Sequence, residues 1–201
     1  FRLAAWEYET AEFHIYADGK RIAQIGKHDA TNYLDKKGDL HTRYEIKKVM
    51  NGKEEEHGYI AKNLAHNYFD LPINKPADYK APDGAIYSYT ANDASVADLD
   101  GDGEYELILN WDCAGPDNSH AGYSGPVFLD AYKLDGRMLW RIDLGRNIRA
   151  GAHYTQFMVY DFDGDGYAEM IVKTADGTRD AAGNYVGDKT KDYRNREGFI
   201  I

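Results

Sequence analysis

Apolar positions in this chain recur every second residue in short runs, and no stretch sustains the three-to-four spacing of an amphipathic helix. Met138, Trp140, Ile142 and Leu144 share one register, with Leu139, Arg141 and Asp143 in the other, as in a strand with one face turned to a core. Similar runs at 94–99, 106–111, 126–134, 138–144, 155–162 and 169–174 predict strands in succession. Near the start, two alternating runs meet at the hairpin pair Asp18-Gly19, and Tyr44 and Ile46 mark a further strand. Asp135-Gly136 closes another hairpin. The 20 glycines and 17 tyrosines strengthen an all-β reading with many turns and little helix.

The runs fall into two groups. Residues 13–49 pattern as a small β-sandwich, and their hairpin, the TNYLD corner and the Tyr44-x-Ile46-x-x-Val49 strand resemble a fibronectin type III module. A generic β-hairpin domain stays open beside that reading. Asn51 to Gly58 is polar, and Pro72, Pro76 and Pro82 punctuate the residues up to about Ile86, so the expected organisation is a module over 1–72, a linker over 73–86 and a second domain over 87–201. In that second domain a strand, the pattern DxDGDGxxE and another strand occur twice, 63 residues apart. Four strands per repeat is the content of a propeller blade.

Charge changes the picture in one respect. The net charge is −10, from 24 basic and 34 acidic residues, and no basic run is dense enough to track phosphates, so nucleic acid is not an expected partner. Part of the acidity is gathered in the two repeated loops. Cys113 is the single cysteine, so no internal disulfide forms, and neither CxxC nor a zinc-type Cys/His spacing is present. No apolar run is long enough for a membrane-spanning helix, and the ends at Phe1 and Ile201 read as cuts in a longer chain.

The first loop runs Asp98, Leu99, Asp100, Gly101, Asp102, Gly103, Glu104, Tyr105, Glu106; the second runs Asp161, Phe162, Asp163, Gly164, Asp165, Gly166, Tyr167, Ala168, Glu169. Carboxylates at positions 1, 3, 5 and 9 converge if the glycines take positive φ, and the carbonyl of Glu104 or Tyr167 at position 7 adds an oxygen. An all-oxygen cage suits Ca²⁺ better than Mg²⁺ or the softer metals. An EF-hand needs a bidentate Glu at position 12, where this chain has Leu109 and Val172. The competing reading is a metal-free turn, which leaves four carboxylates repelling one another at close range. Repeated loops in repeated blades point to a structural metal more than a catalytic one.

Three longer stretches carry more specific information: TANDASVADLDGDGEYELILNWD at 90–112, LDAYKLDGRMLWRIDLGRNIRAGAHYTQFMVYDFDGDG at 129–166 and KTADGT at 173–178. Together they resemble polysaccharide lyase family 11, the bacterial rhamnogalacturonan lyases, with the run from Asn147 to Tyr154 the most diagnostic. The resemblance implies a secreted, periplasmic or cell-surface enzyme with an eight-bladed β-propeller and several bound Ca²⁺. Its partner is an acidic plant cell-wall polysaccharide, the rhamnose-galacturonate backbone of pectin, which it cleaves by β-elimination. The chain departs from the family by ending after one blade and part of another, so it resembles an amino-terminal portion whose activity alone is doubtful.

Such an elimination requires neutralisation of the galacturonate carboxylate, a base for the C5 proton and departure of the oxygen at C4. Arg149, His153 and Tyr154 form the most attractive polar cluster, with Asn118 and Tyr123 in a loop rich in amide, hydroxyl and aromatic groups; these five are the candidates for binding sugar. The alternative is that Arg149 pairs with a loop carboxylate and His153 hydrogen-bonds the scaffold or ligates calcium. Lys173 reads as a solvated strand-end lysine, and no residue is assigned as the catalytic base. The rival class of function is a non-catalytic calcium-binding propeller module for carbohydrate recognition or adhesion.

Overall fold

A computed structural model describes residues 7–61, 63–66, 68, 70–113, 115, 120–151, 154–195 and 198. These residues contain strands and turns and no helix. The chain divides into two compact units, Phe1–Asp70 and Leu71–Ile201.

In the first unit, β1 (Ala11–Ala17), β2 (Lys20–Ile25), β3 (Tyr44–Met50) and the short β4 (Lys53–Glu54) form an antiparallel sheet ordered β2-β1-β3-β4, and β5 (Tyr59–Ala61) also pairs with β3. Both tight hairpins arise from sequence: Asp18-Gly19 and Asn51-Gly52 all take positive φ, the conformation that matches the twist of the strands they join. Ala11, Phe13 and Ile15 alternate onto one face and bury with Ile25. The described residues of this unit make one sheet.

The second unit is built on a four-stranded antiparallel meander of β8 (Tyr89–Ala97), β9 (Glu106–Cys113), β10 (Phe128–Tyr132) and β11 (Met138–Asp143), ordered β11-β10-β9-β8. Strand β9 is central and is buried on both faces. Leu109, Trp111 and Cys113 join Val127, Leu129, Leu144 and Ile148 in the main core, while Ile108 joins Ala97 and Val159. Val159 belongs to the hairpin of β12 (Phe157–Tyr160) and β13 (Glu169–Val172), so the second cluster joins the first repeat to the second. Strand β8 starts earlier than the hydrophobic pattern predicts. Its polar first half pairs Thr90 with Asp112 and Ala91 with Trp111 before a register shift between Ala91 and Ala94.

Inside the meander Asp130 is fully buried. It accepts hydrogen bonds from Trp111 Nε1 at 2.7 Å, Tyr132 Oη at 2.6 Å, and Arg141 Nε and Nη2 at 2.6 Å each. Arg141 also donates to the Asn74 carbonyl and Tyr132 Oη accepts the Asn74 N–H, so this network fastens the incoming chain to the sheet.

That contact corrects the linker reading of 73–86. The segment contains β6 (Tyr79–Lys80) and the first residue of β7 (Ile86–Tyr87), which pair with each other. Ala81 is buried, and Leu71 and Tyr79 pack against the main core. Prolines punctuate this stretch, but its apolar side chains and backbone polar groups find partners in the second unit, so it is ordered structure there.

Candidate metal centre

Each DxDGDGxxE loop joins two antiparallel strands: the first lies between β8 and β9, the second between β12 and β13. A chain reversing over so few residues needs left-handed backbone, and Gly101, Gly103, Gly164 and Gly166 all have φ between 72° and 93°. The two loops share most of their internal hydrogen bonds, the second adding bonds from the Asp165 N–H to Asp161 and Asp163. Asp98 accepts the N–H groups of Gly101 and Gly103, as Asp161 does those of Gly164 and Gly166. Glu106 Oε2 accepts Leu99 N–H at 2.6 Å and Glu169 Oε2 accepts Phe162 N–H at 3.0 Å. Asp102 and Asp165 accept the N–H groups of Glu104 and Tyr167.

This internal bonding draws carboxylate oxygens of each loop together. Asp98, Asp100 and Glu106 each offer a carboxylate oxygen within 4.8 Å of the others, and so do Asp161, Asp163 and Glu169. The fifth-position carboxylates Asp102 and Asp165 stay outside those groups of three. All the donors are carboxylate oxygens, the set a hard divalent cation takes.

The loops are adjacent. The Asp98 carbonyl accepts the Ala168 N–H at 2.8 Å, and a Cβ added to Gly101 would lie 2.8 Å from the Tyr167 ring. The first loop also meets a cation of the chain itself: Lys133 Nζ lies 2.8 Å from Asp100, 2.7 Å from Asp102 and 2.7 Å from Glu106. Those three hydrogen bonds raise the lysine pKa, and the ammonium together with the Glu104 N–H lowers that of Asp102. Among the described residues the second loop forms no ion pair. Sequence reasoning missed Lys133. The signal was topological: in an antiparallel meander the end of β10 lies beside the start of β9, where Tyr132 pairs with Leu107, so the next residue reaches the loop.

The sugar-binding candidates separate. Asn118 and His153 lie outside the described residues. Arg149 is buried, and its guanidinium donates to the carbonyls of Gly122 and Gly198 at 2.8 Å and of His120 at 2.6 Å. It therefore clasps the backbone beside Tyr123 instead of pairing with a loop carboxylate. The Tyr123 ring is covered by the Arg194 guanidinium, 5.1 Å from its centroid. Tyr154 is about half exposed, at 48%. Lys173 is exposed, as expected of a strand-end lysine. Asn147 donates to the carbonyls of Asp176 and Lys191 and accepts the Tyr193 N–H, which ties the return segment to the core.

Comparison with known proteins accounts for both units. The family described as rhamnogalacturonan lyase family 11, C-terminal domain, matches residues 68–201. The rhamnogalacturonan I lyase beta-sheet domain matches residues 1–64. The rhamnogalacturonan exolyase YesX of Bacillus subtilis (strain 168) is 52% identical over 202 residues, covering 100% of this chain and 33% of the relative. The endolyase YesW of the same organism is 50% identical over 202 residues, covering 100% of this chain and 32% of the relative. Among solved structures, the Bacillus licheniformis rhamnogalacturonan lyase PL11 superposes with a TM-score of 0.77 at 51% identity, covering 100% of this chain and 34% of that one. The exotype YesX structure gives 0.76 at 54% identity, over 96% of this chain and 32% of that one. This chain thus spans about a third of the length of the relatives it matches, and with one family matching 68–201 it belongs to rhamnogalacturonan lyase family 11.

Proposed function

We propose that the protein of which this chain is a part is a rhamnogalacturonan lyase that cleaves the rhamnose-galacturonate backbone of pectin by β-elimination outside the cytoplasm. The observation that carries this reading is identity of about half, over the whole chain, to both an exolyase and an endolyase of that polysaccharide. Because both modes of cleavage occur at the same level of identity, the reading extends to the reaction and stops short of endo or exo.

In this reading the meander β8–β11 is a first propeller blade and the β12–β13 hairpin opens the next. The first unit is a fibronectin type III-like sandwich. Its one-sided core of Ala11, Phe13, Ile15 and Ile25 supports that, since a sheet with one apolar face is stable only under a second layer. The loops hold Ca²⁺ through Asp98, Asp100 and Glu106 and through Asp161, Asp163 and Glu169, with Asp102, Asp165 and the carbonyls of Glu104 and Tyr167 completing the shells. Calcium supplies fixed positive charge that offsets the clustered carboxylates and steadies the repeats. Asn118, Tyr123, Arg149, His153 and Tyr154 define the polysaccharide-facing region. Arg149 contributes by holding the backbone around Tyr123, and exposed Tyr154 offers a ring to a sugar. Among the described residues no helix is long and apolar enough to cross a membrane.

The test is to incubate the full-length protein with rhamnogalacturonan and follow the ultraviolet absorbance of a new C4–C5 double bond, with and without a calcium chelator. The expected result is absorbance that grows with time, at a rate that falls after chelation. No absorbance in either condition refutes the lyase reading.

A further inference from the structure

The two loops share a sequence pattern and an internal hydrogen-bond scheme but differ in what neutralises them. In the first, Lys133 brings an ammonium group onto Asp100, Asp102 and Glu106. That side chain is 10% exposed, and Glu106 is fully buried with its Oε1 directed at the lysine. In the second loop Asp163, Asp165 and Glu169 are all exposed, and no lysine, arginine or histidine among the described residues approaches them.

We propose that Lys133 is a built-in counter-ion that competes with divalent cation for the first loop, so that the first loop keeps its shape without metal while the second depends on it. Two cations cannot both take the oxygens of Asp100 and Glu106 at contact distance, since like charges in a partly desolvated site repel strongly. A metal entering the first loop must swing the ammonium out, breaking its charge-assisted hydrogen bonds to Asp100 and Asp102 and its ion pair with Glu106, whereas a metal entering the second meets no such counter-ion among the described residues. The first loop is therefore the weaker calcium site of the pair. The inference rests on reading both loops as calcium sites.

Calorimetric calcium titration of the intact protein tests this with Lys133→Met and with Lys133→Met carrying Asp98→Asn. The expected result is that Lys133→Met tightens one class of sites by about tenfold or more, and that adding Asp98→Asn abolishes the gain. In chelator Lys133→Met should also melt earlier than wild type, and saturating calcium should bring it back, because metal then replaces the missing ammonium. Asp163→Asn, whose Oδ1 can still accept the Asp165 N–H, should melt like wild type in chelator and lose part of the stabilisation by calcium. A Lys133→Met protein that binds calcium no more tightly than wild type overturns the proposal, and so does one that stays unfolded at saturating calcium. Failure of the underlying calcium reading looks different, as a wild type that neither binds calcium nor melts later in its presence.

Discussion

Asp130 offers the sharpest test of how the second unit is held together. Its carboxylate has no access to solvent and accepts four hydrogen bonds, from Trp111, from Tyr132 and two from Arg141. Replacement by Ala removes the anion and leaves the Arg141 charge without its partner, together with two buried donors. Breaking one side of such a pair costs about 3–5 kcal/mol. Trp111→Phe removes a single donor to a charged acceptor and should cost about 1.5–3 kcal/mol. The pair replaced together, Asp130→Leu with Arg141→Met, should be markedly less damaging than the sum of its halves, because no orphaned charge remains. Urea unfolding followed by tryptophan fluorescence measures this, as Trp111 and Trp140 both lie in the second unit. The first-unit transition must be resolved separately, since two compact units need not unfold together. If Asp130→Ala costs less than about 1 kcal/mol, or if its effect and that of Arg141→Met simply add, the network is not the coupled anchor that its geometry indicates.

Two other expectations rest on contacts of the same kind. Arg149→Lys keeps the charge but loses the planar fork that reaches three carbonyls, so it should cost about 2–3 kcal/mol and speed amide exchange across 120–125; unchanged stability with weakened polysaccharide binding would return Arg149 to direct substrate contact. For pH, Arg194 holds the Asp192 carboxyl down to about 2 from the ordinary 3.8, so its stabilisation is complete above 3.8 and is lost as pH falls toward 2. Burial pushes Asp143 up instead, so its ionisation opposes folding at neutral pH and this penalty is relieved on acidification. Thermal melts over that range should accordingly show Asp192→Asn destabilising at neutral pH and Asp143→Asn stabilising there, with both differences shrinking in acid; differences that do not depend on pH would refute the assignment.

Much of the second unit was legible because its strands are short, alternate cleanly and are separated by turn residues. The six expected runs correspond to β8 through β13, and the glycines of both loops take the positive φ that the loop pattern requires. What escaped was tertiary in origin. The polar start of β8 carries no hydrophobic signal and is recruited by pairing of Thr90 and Ala91 with Asp112 and Trp111. The segment 73–86 looks like a connector because Pro76 and Pro82 punctuate it just after Pro72, but Tyr79 and Ala81 within it and Leu71 just before it supply apolar anchors that a composition reading discounts. Asp130 reads as one more strand residue until Trp111, Tyr132 and Arg141 converge on it from three strand positions. At the site, the convergence of the carboxylates at positions 1, 3 and 9 was legible from spacing alone, whereas Lys133 lies 27 residues beyond Glu106 and reaches the loop only through the meander. Arg149 was noticed for its charge, but its role depends on carbonyls supplied by 120–122 and 198, which no local pattern specifies.

The position of the loops bears on what a bound metal does. Asp98 is the first carboxylate of the first loop, directly follows buried Ala97, and accepts the Ala168 N–H of the second loop through its carbonyl. Ala168 in turn packs against the cluster of Ala97, Ile108 and Val159 that joins the two repeats. Gly101 is constrained twice, by its positive φ and by the Tyr167 ring above it, so the first loop cannot change shape without disturbing the second. A cation that draws Asp98 toward Asp100 and Glu106 therefore also fixes the carbonyl on which the next repeat hangs. Charge neutralisation in these loops acts on the alignment of successive repeats. The backbone clasped by Arg149 has its own supports at His120, Gly122 and Gly198, none of them a loop carboxylate. The carboxylates proposed to hold metal and the residues proposed to face polysaccharide are thus different, so removing calcium and altering Arg149 should produce separable defects.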